Sequence, residues 1–184
     1  MKLLLIADTA PRLPMPLPEF VAEHGIDVVV TAGDLYASSL AGINACGVPA
    51  LGVYGNHCSG RYLDALGMHN LHANPVAVGG FSFAGVEGCV RYKAGGRSIM
   101  YTQDEYSAYL DNLASADIMV SHCPPRGIND HQDLAHTGIA ALRSWVDKHK
   151  PRLLIHGHTY PQAPLERYES TQIAYVRGAR VLVV

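Results

Sequence analysis

KLLLIADTAPRLPMPLPEFVAEHGIDVVVTAGD, residues Lys2–Asp34, carries the reading of the fold. Lys2 to Ala7 is an apolar run closed by Asp8, and Asp27 to Thr31 (DVVVT) is a second, rich in β-branched residues and followed by Gly33-Asp34. Short apolar runs of this composition, bounded by turn residues, predict buried strands. Between them, Phe20 to His24 reads as helix and stops at Gly25, a residue suited to the left-handed position after a helix. The Pro-rich stretch from Pro11 to Pro18 reads as the loop after the first strand. Strand, helix and strand in succession predict parallel pairing through right-handed crossovers.

Outward from this stretch the alternation continues. A helix over Leu35–Cys46, ended by Gly47, leads to a third strand at Val48–Val53. Val76–Val78, Phe81–Val86 and Val90–Tyr92, split by Gly79-Gly80 and Gly88, read as antiparallel hairpins. A helix over Gln103–Leu113, a strand at Ile118–Ser121, a helix over Gly138–Lys150 and a strand at Leu153–Ile155 follow. The tail from Leu165 to Val184 alternates and turns at Arg177-Gly178, which suggests a closing meander. Mixed sheets with helices outside them make an α/β sandwich, here expected to be a single domain over residues 1–184.

Composition narrows the function. A net charge of −2 with no run of Lys or Arg argues against a nucleic-acid or membrane-surface partner. No stretch approaches the ~20 apolar residues that span a bilayer, and the Leu3–Ala7 run is too short for a signal peptide. Cys46, Cys58, Cys89 and Cys123 form no CxxC pair, which predicts reduced thiols in a cytoplasmic protein. The 10 histidines against 14 Lys and Arg together are a surplus that directs attention to metal binding.

In open α/β sheets ligands sit where strands end. The residues that follow the apolar strands are Asp8, Gly33-Asp34, Gly55-Asn56-His57, His122 and Gly157-His158. Carboxylate oxygens, an amide carbonyl and neutral imidazoles form the donor mixture that hard and borderline divalent metals take. The glycines before Asp34, Asn56 and His158 permit sharp turns and close backbone approach. A lone aspartate after a strand is ordinarily a helix cap; five consecutive strand ends are not explained that way.

This ordered pattern resembles the calcineurin-like metallophosphoesterases, from residue 8 to about 160. The resemblance implies a four-layer α-β-β-α sandwich of two mixed sheets flanked by helices. It also implies hydrolysis of phosphomonoesters or phosphodiesters with two adjacent divalent ions, manganese, iron or zinc. By its motifs Asp34 corresponds to the carboxylate that bridges both ions, Asn56, His122 and His158 to the other ligands of the second ion, and Asp8 to a ligand of the first. His57 corresponds to the histidine that is not a ligand and that gives a proton to, or supports, the leaving-group oxygen.

The departures are as informative. The family's Asp-x-His motif reads Asp8-Thr9-Ala10 here, and its Gly-His-x-His motif reads Gly157-His158-Thr159-Tyr160. Both missing histidines belong to the first ion, so the resemblance implies one tight site and one weaker or absent. Tyr160, Tyr36, His131 and His136 are the candidate replacements, since a phenolate binds ferric iron in the purple acid phosphatases of this superfamily. Tyr36 falls two residues after Asp34, one short of the position of their tyrosine. His156 reads as support rather than ligand. Cys58 stands where many relatives carry an acid beside the catalytic histidine, and a thiol orients His57 poorly. Cys58 and Cys123, each next to a site residue, read as buried inert thiols, with a soft-metal or redox role as the alternative.

The function expected is attack of a metal-bound water on a small phosphomonoester or phosphodiester. Arg61 and Arg126 are candidate phosphate clamps. The rival expectation is a weakened or inactive phosphoesterase fold that serves as a scaffold for protein interaction.

Overall fold

A computed structural model describes residues 1–94 and 96–184. In chain order the elements are β1 (Lys2–Ala7), α1 (Leu17–Glu23), β2 (Val28–Ala32), β3 (Ala50–Val53), α2 (Tyr62–Ala65), β4 (His69–Asn70), β5 (Val76–Val78), β6 (Phe81–Val86), β7 (Cys89–Val90) and β8 (Met100–Tyr101). There follow α3 (Gln103–Leu110), β9 (Ile118–Ser121), α4 (Ala140–His149), β10 (Leu153–His156), β11 (Arg167–Tyr168), β12 (Thr171–Tyr175) and β13 (Gly178–Val183). One sheet has the order β13-β1-β2-β3-β4 and the other β11-β12-β10-β9-β6-β5, with β7 and β8 as a separate pair.

The apolar strands are uniformly hydrophobic because both faces of each sheet are covered. Alternation along β1 sorts its side chains into two cores. Leu3, Leu5 and Ala7 join Val28, Val30, Val53, Phe83, Ile118, Val120, Leu153 and Ile155 in the core between the sheets. Leu4 and Ile6 point the other way, onto Phe20 and Val21 of α1 and onto Leu40 and Leu63. On the far side of the second sheet, Met119, Leu154 and Ile173 pack on Tyr106 and Leu110 of α3 and on Leu142, Trp145 and Val146 of α4. The layers are therefore helix, sheet, sheet, helix, the four-layer α-β-β-α sandwich. Full burial of one such Leu or Ile contributes about 1.5–3 kcal/mol.

Three local expectations differ from the structure. The helix expected over Leu35–Cys46 is two short 3-10 turns, Ala37–Leu40 and Ile43–Ala45. Gly42 breaks them with φ +87, and a Cβ there would press to 3.0 Å from Pro18 Cγ; this left-handed residue cannot continue a helix. The strand expected at Val90–Tyr92 does not hairpin with β6, because β7 pairs in parallel with β8. The closing meander is split between the sheets: β12 lies parallel to β10, whereas β13 crosses to the other sheet and runs antiparallel to β1. Both sheets had an open strand edge there, and a β12–β13 hairpin would have left β1 unpaired on one side.

Candidate metal centre

The parallel strands β1, β2 and β3 of one sheet and β9 and β10 of the other all end at one edge of the sandwich. Beyond those ends stand Asp8, Asp34, Asn56, His122 and His158. The loops are tied together by main-chain hydrogen bonds: Asp8 N donates to Gly33 O at 3.1 Å, and Gly157 N donates to His122 O at 3.1 Å. Asp8, Asp34 and His158 have positive φ angles of 63°, 53° and 74°. Left-handed backbone at three non-glycine residues costs of order 1 kcal/mol each and is characteristic of functional sites. Close approach of the loops needs the glycines, since a Cβ on Gly55 would lie 2.2 Å from Asp34 Oδ1 and one on Gly33 2.6 Å from His122 Nδ1.

Asp8, Asp34 and His122 each bring a donor atom within 4.8 Å of the other two. The His122 ring is fully buried; its Nδ1 donates to Ala32 O at 2.8 Å, so Nε2 is the nitrogen that faces the other donors and, once deprotonated, offers its lone pair there. Nε2 lies 2.9 Å from Asn56 Oδ1 and 3.4 Å from Asp34 Oδ2. His158 approaches with its ring centre 4.8 Å from that of His122. Its Nε2 donates to Ala135 O at 2.9 Å, so Nδ1 keeps the free lone pair. Asp34 Oδ1 accepts from His57 N at 2.9 Å, and both oxygens of Asp8 accept from His158 N at 3.2 and 3.1 Å.

The electrostatics are those of a site short of positive charge. Burial pushes the Asp8 carboxyl up to about 6, against the opposing pull of His122. Burial also opposes ionisation of Asp34, but the His122 imidazole beside it holds its carboxyl below the usual range. Burial of His122 disfavours its proton, yet Asp34 and Asp8 outweigh that cost and raise its pKa. Burial, then the neighbouring His122, lower His158 to about 3, so it is a neutral donor at physiological pH. Two adjacent carboxylates, an amide oxygen and two imidazoles each with a lone pair to give are a donor set that fits a divalent cation.

The remaining candidates are placed as follows. His57, Tyr36 and Arg61 line an open cleft of about 690 Å³ beside Asn56, together with Arg97. Among the described residues the His57 ring has no side-chain hydrogen-bond partner, in keeping with the thiol next to it. Cys58 is buried: its sulfur accepts from Gly55 N at 3.2 Å and its thiol donates to Leu35 O at 3.8 Å. Burial raises its pKa and likewise that of the fully buried Cys123, which disfavours the reactive thiolate at both positions. Arg126 pairs with Asp130 at 3.6 Å and lines neither cleft beside the cluster.

His131 and His136 lie in the loop after β9, close to the His158 segment. The His136 and His158 ring centres are 5.3 Å apart, and His131 Nε2 donates to Thr159 O at 2.6 Å. His156 is buried and neutral, its Nε2 accepting from Asn129 Nδ2 at 2.9 Å. Tyr160 has φ +48 and its ring stacks under Arg177, with the guanidinium 4.8 Å from the ring centre.

Arg97 and Arg177 carry no sign of the site in the sequence. Arg97 has no linear signal that ties it to His57. Arg177 is visible there only as half of a turn; its place follows from the β1–β13 register, where Ala7 faces Gly178.

The sequence profile of the calcineurin-like phosphoesterases matches residues 1–162. No protein of curated function matches the chain in sequence. Among solved structures, one chain superposes with a TM-score of 0.74 at 17% identity, over 98% of this chain and 94% of its own. The protein TT1561 of Thermus thermophilus does so with 0.67 at 16%, over 96% and 89%. A dimetal phosphatase from Danio rerio gives 0.59 at 15%, over 96% and 87%. At these identities the superpositions speak for the fold alone. The profile runs through all five strand ends that build the cluster, and on that ground the chain belongs to the calcineurin-like phosphoesterase family.

Proposed function

We propose that the chain, as a single domain over residues 1–184, is a metal-dependent hydrolase of small phosphomonoesters or phosphodiesters. The observation that carries this reading is the meeting of Asp8, Asp34 and His122 within 4.8 Å beside an open cleft that holds His57.

Asp34, Asn56, His122 and His158 are the residues to hold one ion tightly, with Asp8 on the weaker side; manganese, iron and zinc all suit this set. A divalent ion bound there supplies Lewis-acid charge and lowers the pKa of a coordinated water toward ~7. The chain's own residues do the rest. The buried carbonyl of Ala32 fixes the His122 tautomer. Arg61 and Arg97 hold the phosphoryl oxygens from the cleft side. His57, exposed at the rim, delivers a proton to the departing oxygen.

The test is hydrolysis of p-nitrophenyl phosphate and bis-p-nitrophenyl phosphate with added Mn²⁺, with metal analysis of the same samples. The reading expects turnover and one tightly held ion per chain, both lost in Asp34→Asn. Absence of bound metal in wild-type protein supplied with Mn²⁺ or Zn²⁺ rejects it. Ala10 and Tyr160, where the family places histidines, favour a second reading in which the fold is an interaction scaffold. A chain that holds metal but hydrolyses neither ester supports that reading.

A further inference from the structure

We propose that Arg177, with Arg12, forms a phosphate-binding subsite that takes the place of the first metal ion. The two registers that meet at the end of β12 and the start of β13 carry the argument. The β1–β13 ladder ends with Ala7 opposite Gly178, so Asp8 and Arg177 are the residues by which the two segments leave that end of the ladder. The β10–β12 ladder ends with His156 opposite Tyr175, so Gly157-His158 and Val176-Arg177 leave the same end of that pair. One arginine thus lies at the end of both sheets, beside the two segments, Asp8-Thr9-Ala10 and His158-Thr159-Tyr160, that lack their family histidines.

Its surroundings are those of an anion site. Arg177 lines a second open cleft, about 690 Å³, with Thr9, Ala10, Arg12 and Gly178. The Tyr160 ring supports its guanidinium from one face, which leaves the planar fork of donors free. Among the described residues neither Arg177 nor Arg12 enters an ion pair. The Arg177 charge also acts on Asp8, where it favours the ionised carboxyl.

Chemistry explains the exchange. In a two-ion site the first ion neutralises charge on the phosphoryl group; a guanidinium does the same with two parallel hydrogen bonds and needs no histidines. Tyr160 then serves as the platform for the arginine rather than as a ligand. That the anion is the substrate's phosphoryl group rests on the phosphoesterase reading; that the cleft binds phosphate does not.

Titration of chelator-treated protein with inorganic phosphate and with pyrophosphate, followed by calorimetry and ³¹P NMR, separates the two. The subsite expects saturable binding by wild-type protein, weakened about tenfold or more by Arg177→Gln, the scale of one charge-assisted hydrogen bond. It also expects Arg177→Lys to fall between them and Arg167→Gln, on β11, to match wild type. Ala10→Glu, which places a carboxylate in the same cleft and leaves Arg177 intact, should abolish binding even if Arg177→Gln fails to fold. No saturable binding by the wild type, or equal affinity in wild type and Ala10→Glu, overturns the subsite whatever the turnover. Phosphate binding that depends on Arg177 in a protein that hydrolyses nothing leaves the subsite standing and removes the hydrolase.

Discussion

His122 Nε2 stands 3.4 Å from Asp34 Oδ2 while the opposite nitrogen of the same ring is fixed on the carbonyl of Ala32. The pair joins the ends of two different sheets, and it shares a proton that a metal ion must displace. His122 retains that proton above the ordinary imidazole range because two carboxylates outweigh its burial.

Metal binding should therefore release protons. Calorimetric titration with Mn²⁺ at pH 7, in buffers of different ionisation enthalpy, should show proton release, since ligands bind deprotonated. Below about 6, where Asp8 also takes a proton, affinity should fall faster than tenfold per pH unit. Binding enthalpies identical in all buffers would contradict the arrangement described.

His57 lines the cleft and meets the donor cluster through its main-chain N–H, on Asp34 Oδ1, so loss of its ring should separate chemistry from metal. In His57→Ala the metal content should stay at the wild-type value while kcat for an alkyl phosphate ester drops roughly 10²–10⁴-fold. The drop should be much smaller for the nitrophenyl esters, whose leaving group needs no proton. A His57→Ala protein that loses its metal assigns the residue to the cluster instead.

Restoring the family's histidines should restore the second ion. The double change Ala10→His and Tyr160→His places imidazoles on both segments next to Asp8, and histidine tolerates the positive φ of residue 160. Metal analysis should move from one ion toward two per chain, and further when Arg177→Gln removes the competing positive charge. Stoichiometry unchanged in the triple variant would mean that the gap beside Asp8 is not a lost metal site.

Acid should destabilise the metal-free protein through His156. Burial lowers this ring to about 4, against 6.5 when exposed. Between those values the unfolded chain binds a proton that the folded chain refuses, so stability falls as pH drops from about 6.5 toward 4. From pH 7 to pH 5 the loss is about 2 kcal/mol, at roughly 1.36 kcal/mol per unit below the unfolded value. Asp8, raised to about 6, acts in the opposite sense, so the comparison must be with His156→Gln. Urea unfolding at pH 7 and pH 5 should show that variant losing about 2 kcal/mol less than wild type; equal losses would refute the assignment.

The cluster is readable because each donor follows a strand that announces itself by composition. Asp8 after Leu3–Ala7 and His122 after Ile118–Ser121 need no partner to be noticed. The pattern over Leu35–Cys46 misleads because Gly42 packs on Pro18, a contact invisible to local periodicity. Arg97 enters the His57 cleft and the Arg177 turn reaches the end of β1 only through pairings between distant segments.

Side-chain chemistry and strand-end position are local properties, so the sequence by itself determined the donor set, the sandwich and the absence of histidine at residues 10 and 160. What fills that absence was decided by tertiary structure. β13 leaves β12 and pairs with β1, from Lys2 opposite Val183 to Ala7 opposite Gly178, and this ladder brings the Arg177 turn to the end of β1, where its charge acts on Asp8. Register between strands so far apart in the chain is set by which sheet edge remains to be satisfied, a condition that no single segment contains.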